Sequence, residues 1–102
     1  MIPELEAHRI LARNSEVLSA EISGELALMS VQNGKYYALN ATASVIWRAL
    51  EQPIPLSGLT AALTARYNGD PAQIEADLRE TLQEWLVQRL ITVAAPDQRD
   101  FR

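Results

Sequence analysis

The fold is decided by residues 33–47, whose sequence is NGKYYALNATASVIW. Asn33-Gly34 predicts a hairpin between two β-prone segments, because a type I′ turn needs positive φ at both central positions. The segment Lys35–Leu39 alternates with period two, which predicts the return strand. Asn40 is a good helix N-cap, and an apolar stripe follows it over Ala41–Leu50. This stretch therefore predicts a strand that passes directly into a helix.

The residues before this stretch predict two further strands. Over Glu16–Ile22, apolar and polar residues alternate, and Ser23-Gly24 is typical of a turn. Glu25–Val31 continues the alternation up to the Asn33-Gly34 hairpin. We therefore expect a three-stranded antiparallel meander, and the residues Arg9–Arg13 allow a further short strand.

The residues after this stretch predict two more helices. Pro53-Ile54-Pro55 ends the first helix, and apolar spacings of three and four predict a second over Leu56–Tyr67. Asn68-Gly69 stops the second helix, and Asp70 caps a third with Pro71 at its first position. Three strands followed by three helices predict a winged helix-turn-helix-like α+β domain. This fold occurs in proteins with many different functions, so it does not identify the function by itself.

Composition predicts one small domain without reactive groups. The chain has 102 residues, of which 48% are hydrophobic, enough for one core. We expect residues 1–102 to form a single domain with an ordered core over about 9–95 and a polar C-terminal tail from Pro96. Cys is absent, so disulfides and thiolate zinc sites are excluded. The single histidine, His8, excludes most other metal sites and any Ser-His-Asp scheme that would place it inside a packed core. We expect no metal site, no cofactor and no catalytic activity.

The charge distribution disfavours nucleic acid. Nine basic residues stand against thirteen acidic ones, which gives a net charge of −4. Within the predicted third helix Arg79 is the base, and the acids are Glu75, Asp77, Glu80 and Glu84. Such a helix would be repelled by phosphates in a major groove. The acidic N-terminus and the lack of a long apolar run predict neither a signal peptide nor a membrane span, so we expect a cytoplasmic protein without a membrane partner.

The strand Lys35–Leu39 offers a different kind of interaction. If it lies at a sheet edge, its free main-chain groups are a template for an added strand, with an amphipathic helix as the second wall of a groove. An edge that binds nothing fits the same pattern. A winged-helix regulator and a structural subunit of an enzyme also stay open at this point.

The run Gly34–Trp47 closely resembles the PqqD-like proteins, which recognise precursor peptides in pathways of ribosomally made, post-translationally modified peptides. The resemblance covers about Glu16–Ile91 and continues through Leu59, Leu63 and Tyr67. It implies a non-catalytic adaptor that binds the leader of a precursor peptide as an added strand. The adaptor then presents the peptide to a modifying enzyme. The short free-standing form is most similar to the recognition proteins of lasso-peptide clusters, whose partner is a separate leader peptidase and whose leaders commonly carry a Tyr and a Pro.

The resemblance also implies a peptide-binding site on one strand and one helix. On the strand it implies Lys35, Tyr36, Tyr37, Ala38 and Leu39, and on the third helix Ile74, Asp77, Leu78, Thr81 and Trp85. The sequence departs from the family pattern at two positions. Pro55 stands where many relatives have a Thr or Ser cap, and Arg89 stands where relatives usually have Gly. If Arg89 is left-handed, it carries a strain of roughly 1 kcal/mol relative to Gly.

Overall fold

The computed structural model describes residues 5–93, which form six strands and three helices. In chain order these are β1 Ile10–Arg13, β2 Val17–Ile22, β3 Glu25–Ser30, β4 Lys35–Leu39, α1 Ala41–Ala49, β5 Ile54–Pro55, α2 Leu56–Arg66, α3 Pro71–Val87 and β6 Ile91–Val93. The predicted α+β fold, a three-stranded antiparallel sheet followed by three helices, is confirmed. The predicted polar tail from Pro96 lies outside the described residues.

The meander β2-β3-β4 forms as predicted, with a turn at Ser23-Gly24, but the connection between β3 and β4 differs from the prediction. Ser23 and Gly24 have φ of 54° and 83°, so the two-residue turn with two positive φ angles joins β2 to β3. A four-residue loop joins β3 to β4, and within it Gly34 has a φ of 68°. The prediction of a type I′ turn at Asn33-Gly34 was wrong, because the loop also contains residues 31 and 32 and Asn33 does not have a positive φ.

A second sheet, in the order β5-β1-β6, was missed by the sequence prediction. The allowed strand near Arg9–Arg13 exists as β1, and Leu11 at its centre pairs with Ile54 on one side and Val93 on the other. The strands β5 and β6 have two and three residues, too few to show a period of two. Their pairing depends on contacts across most of the chain.

Two of the three helices, α1 and α3, begin at their predicted N-cap residues. The Oδ1 atoms of Asn40 and Asp70 accept from Ala43 N at 2.8 Å and from Ala72 N at 3.1 Å. Pro55 provides no side-chain cap for α2. Instead the backbone N–H groups of Leu56 and Ser57 donate to carbonyls of the segment before β1, at 3.0 and 2.9 Å. Main-chain acceptors thus replace the missing Thr or Ser cap.

Arg89 ends α3 in the left-handed conformation, with a φ of 62°. Its N–H donates to Leu86 O at 3.1 Å, and Leu90 N donates to Trp85 O at 2.9 Å. These two bonds are those of a Schellman motif. The chain therefore turns sharply into β6, and Arg occupies a position that suits Gly.

The core lies between the two sheets and the three helices. Its most buried members include Leu11, Leu28, Trp47, Leu59 and Leu82, each no more than 1% exposed. Leu28 of the β2-β3-β4 sheet and Trp47 of α1 belong to the same buried cluster. Among residues 5–93, no helix is long and apolar enough to cross a bilayer.

Candidate functional site

The strand β4 lies at an edge of its sheet. The sheet order is β2-β3-β4, so among the described residues β4 pairs with β3 alone. The main-chain N–H and C=O groups along its other side are therefore not used by the sheet. Free edges of this kind are where a further strand can be added.

An open cleft of about 250 Å³ separates this edge from α3. Tyr37 and Leu39 line it from the strand, and Thr81 and Trp85 line it from the helix. Asn33 connects two of the lining residues, with its Nδ2 atom 3.3 Å from Tyr37 Oη and 3.4 Å from Gln88 O. The cleft thus has one strand wall and one helix wall.

Towards the start of α3 the cleft adjoins a second, smaller pocket of about 160 Å³. Thr81 lines both cavities. The side chains of this pocket come from all three helices: Thr42 and Ile46 from α1, Leu63 and the following Tyr67 from α2, and Ile74, Asp77, Leu78 and Thr81 from α3. Most of them are apolar, so this pocket is suited to an apolar or aromatic side chain.

The two cavities carry acidic but no basic side chains. Glu84 lies in the cleft and Asp77 in the adjoining pocket, where Asp77 Oδ1 accepts from Gln73 Nε2 at 3.0 Å. Arg79, the one base of α3, bonds to Glu75 at 2.9 Å and donates to the carbonyl of Leu5. The walls therefore favour neutral or basic ligands over anionic ones.

Trp47 supports the helix wall from below, since it packs against Trp85. The guanidinium group of Arg13 lies 4.6 Å from the Trp47 ring centroid, and its Nη2 atom donates to Trp47 O at 2.6 Å. Burial lowers the pKa of Arg13, an effect that the nearby Glu51 carboxylate opposes. These contacts connect β1 to the α1 tryptophan that packs against Trp85.

The structure gathers most of the predicted site residues, in two groups. Tyr37, Ala38, Leu39, Thr81 and Trp85 line the cleft, and Ile74, Asp77, Leu78 and Thr81 line the adjoining pocket. Lys35 is exposed at the start of β4. The side chain of Tyr36 lies on the opposite face of the sheet beside Leu18 and Met29, so its main chain alone belongs to the edge.

Sequence prediction missed several lining residues. Glu84 and Gln88 lie three and seven positions after Thr81, so helical spacing could have identified them. Asn40 and Ala43 also reach the cleft because α1 begins directly after β4. The residues that α1 and α2 contribute to the adjoining pocket are brought there by helix packing, and no local sequence pattern predicts that they line it.

The cleft and the adjoining pocket are lined by no histidine, and their acids, Glu84 and Asp77, lie in different cavities. No group of three or more His, Cys, Asp or Glu residues within residues 5–93 could hold a metal ion. His8 is exposed, with its Nε2 atom 3.2 Å from Glu6 Oε1. The features of the site are shape, apolar surface and free main-chain groups.

Comparisons with known proteins identify relatives of this arrangement. Residues 25–91 match the family model of coenzyme PQQ synthesis protein D, PqqD. The structure of TbiB1 in complex with the TbiA(beta) leader peptide is 32% identical with a TM-score of 0.75, and the match covers 82% of this chain and 98% of that chain. The solution structure of the PqqD truncation of Methylobacterium extorquens PqqCD, described as a stand-alone RiPP recognition element, has the same fold. It is 18% identical with a TM-score of 0.71, covering 87% of this chain and 95% of that one. No curated protein matches the chain significantly.

Proposed function

This chain belongs to the PqqD family, and we propose that it is a non-catalytic recognition element that binds the leader region of a ribosomally made precursor peptide. The observation that carries the proposal is the free edge of β4, which faces α3 across an open cleft. The similarity to TbiB1, whose structure holds a leader peptide, supports the same assignment.

The leader binds by adding a strand to the sheet. Its main chain pairs with Lys35–Leu39, which spans roughly 17 Å at about 3.4 Å per residue. Alternate leader side chains then point into the cleft against Tyr37, Thr81 and Trp85. Main-chain bonds supply a sequence-independent part of the affinity, and the cleft supplies selectivity.

The adjoining pocket holds one apolar leader residue beyond the paired segment. Ile74 and Leu78 form its α3 wall, and Tyr67 provides an aromatic surface. A Tyr or Pro side chain suits its volume and its mostly apolar lining. Both are residues that leaders of lasso-type pathways commonly carry.

The bound leader is presented to a separate enzyme, which we take to be a leader peptidase of a lasso-type pathway. Capture converts a bimolecular encounter between enzyme and precursor into a tethered one, so the effective concentration of the substrate rises. No reactive group of this chain is needed for that effect. The similarity to TbiB1 supports this placement, and the lack of a metal cluster in residues 5–93 is compatible with it.

The charge of α3 argues against the alternative of a nucleic-acid regulator. Helix recognition of DNA needs exposed Arg or Lys side chains. Arg79 is bonded to Glu75 and Leu5, and four acids share the helix with it. The same surface tolerates a neutral or basic peptide.

Titration of a fluorescently labelled leader peptide with the purified chain tests the proposal. We expect a saturable rise in anisotropy with one peptide per chain. The same leader with N-methyl groups along its pairing segment lacks main-chain donors, and we expect it to bind much more weakly. A scrambled leader is the control for composition. No saturable binding through the high-micromolar range would refute the function, and equal affinity of the N-methylated leader would refute strand addition.

A further inference from the structure

A third cavity, of about 280 Å³, lies where β4 ends and α1 begins. We call it the terminal pocket. It borders both cavities of the leader site, because Leu39 and Asn40 also line the cleft and Tyr67 also lines the adjoining pocket. A leader strand that pairs with β4 therefore reaches the terminal pocket as it passes Leu39.

The terminal pocket differs in charge from the other two cavities. Arg48 of α1 and Arg66 of α2 line it, together with one acid, Glu25, whose carboxylate is in an ion pair with neither arginine. The charged side chains of the cleft and of the adjoining pocket are the acids Glu84 and Asp77. The lining thus changes from acidic beside α3 to basic beyond the end of β4.

The two arginines are available to a further anion. Within the described part of the chain, Arg66 has no carboxylate partner, and its exposed guanidinium group lies 6.0 Å from the Tyr67 ring centroid. Arg48 makes one ion pair, with 3.7 Å between its Nη2 atom and Glu21 Oε2. Both side chains of that pair are more than half exposed, and exposed ion pairs are weak and screened by salt.

From these observations we propose that the terminal pocket binds the carboxylate of an Asp or Glu residue of the leader, just beyond the segment that pairs with β4. The inference rests on the leader-binding function proposed above. Guanidinium groups hold carboxylates through charge-assisted, often bidentate hydrogen bonds. The N-terminus of α1 opens on the same pocket at Ala41, and its first turn contains no acid, so its dipole adds to the positive field of the arginines.

An acid held in the terminal pocket would fix the register of the leader. Main-chain pairing along Lys35–Leu39 does not do so by itself, because a slip of two residues restores the same hydrogen bonds and the same face. A carboxylate between Arg48 and Arg66 favours one of these registers. The opposite charge of Glu84 in the cleft disfavours a leader bound in the reverse direction, with its acid beside α3.

A double variant, Arg48→Gln with Arg66→Gln, tests the inference against a charge-matched control. Arg89→Gln removes the charge of an exposed arginine that lines none of the three cavities. The single variant Arg66→Gln leaves the pair of Arg48 with Glu21 intact and serves if the double variant does not fold. Circular dichroism checks the fold of each chain.

The probe is the labelled leader of the precursor encoded beside this chain, titrated by anisotropy at low and at high salt. In further peptides each Asp or Glu of this leader is replaced in turn by Asn or Gln. At low salt we expect the double variant to lose leader affinity at least about 5-fold, Arg66→Gln to lose less, and Arg89→Gln to stay within about 2-fold. High salt should reduce these differences.

One leader position should account for the effect. Neutralising that acid should weaken binding to the wild-type chain by a similar factor and have little further effect on the double variant, because the contact is already lost. Equal affinity of the wild-type and double-variant chains would overturn the inference, as would equal losses with every neutralised leader or a leader without acids. Failure of the wild-type chain to bind any leader would instead refute the function proposed above.

Discussion

Trp85 meets Trp47 edge to face, with ring centroids 5.8 Å apart and ring planes at 78°. Trp47 lies in α1 and Trp85 lies in α3, where it also lines the cleft. An aromatic pair of this geometry contributes about 0.5–1.5 kcal/mol beyond the area that it buries. The pair therefore fixes α3 relative to α1 and sets the position of the helix wall.

Replacing Trp85 by Ala should destabilise the whole domain. Trp85 is 5% exposed, and truncation of a buried Trp to Ala lowers the free energy of unfolding by about 3–5 kcal/mol. Urea denaturation followed by circular dichroism measures this loss. Val87→Ala, an exposed substitution in the same helix, should change the free energy by no more than about 0.5 kcal/mol. Equal stability of the two variants would show that the Trp pair does not hold α3.

Adjacent tyrosines in β4 should respond differently to substitution. Tyr37 lines the cleft, whereas the Tyr36 side chain lies on the opposite face of the sheet, beside Leu18 and Met29. Leader affinity, measured by anisotropy, should fall at least about 10-fold in Tyr37→Ala and stay within about 2-fold in Tyr36→Ala. A loss of similar size in both variants would contradict the placement of the leader against the cleft side of β4.

Substitutions at the two helix N-caps should distinguish an effect on stability from an effect on leader binding. Asn40→Ala and Asp70→Ala each remove a side-chain acceptor at a helix N-terminus and should lower the free energy of unfolding by about 1 kcal/mol. Asn40 lines the cleft, but Asp70 lines neither cavity. Leader affinity should therefore fall in Asn40→Ala and stay unchanged in Asp70→Ala. Asp70→Ser, which keeps a capping oxygen, should recover most of the stability; a binding loss in Asp70→Ala would contradict this separation.

Arg89→Gly should stabilise the protein. Arg89 has a φ of 62° in the Schellman motif that ends α3, and Gly adopts this conformation without the steric cost of a Cβ. The free energy of unfolding should rise by about 1 kcal/mol in urea denaturation. Gln88→Gly, one residue earlier in right-handed helical conformation, should instead lower it by about 0.5–1 kcal/mol. If both substitutions stabilise the protein, or if neither does, the left-handed conformation of Arg89 is not the source of the strain.

Short-range sequence patterns predicted the strand and the helices that line the cleft. The N-caps at Asn40 and Asp70 form as expected, because a side-chain oxygen satisfies free amides within three residues. The bounds of β4 are the predicted ones, since a period of two needs no distant partner to be recognised. Glu84 and Gln88 were within reach of the same reasoning through their helical spacing from Thr81.

The sequence by itself determined the meander, the three helices with two of their caps, and the family resemblance, because each rests on neighbours along the chain. The tertiary structure alone decided the second sheet, in which Leu11 pairs with Ile54 and Val93. It also decided that Tyr37 points to the cleft and Tyr36 to the sheet face on the side away from the helices. The physical reason is that alternation reveals two faces of a strand but not which face the helices cover. That choice is made by packing between residues far apart in sequence, which buries Leu28 and leaves Leu18 exposed.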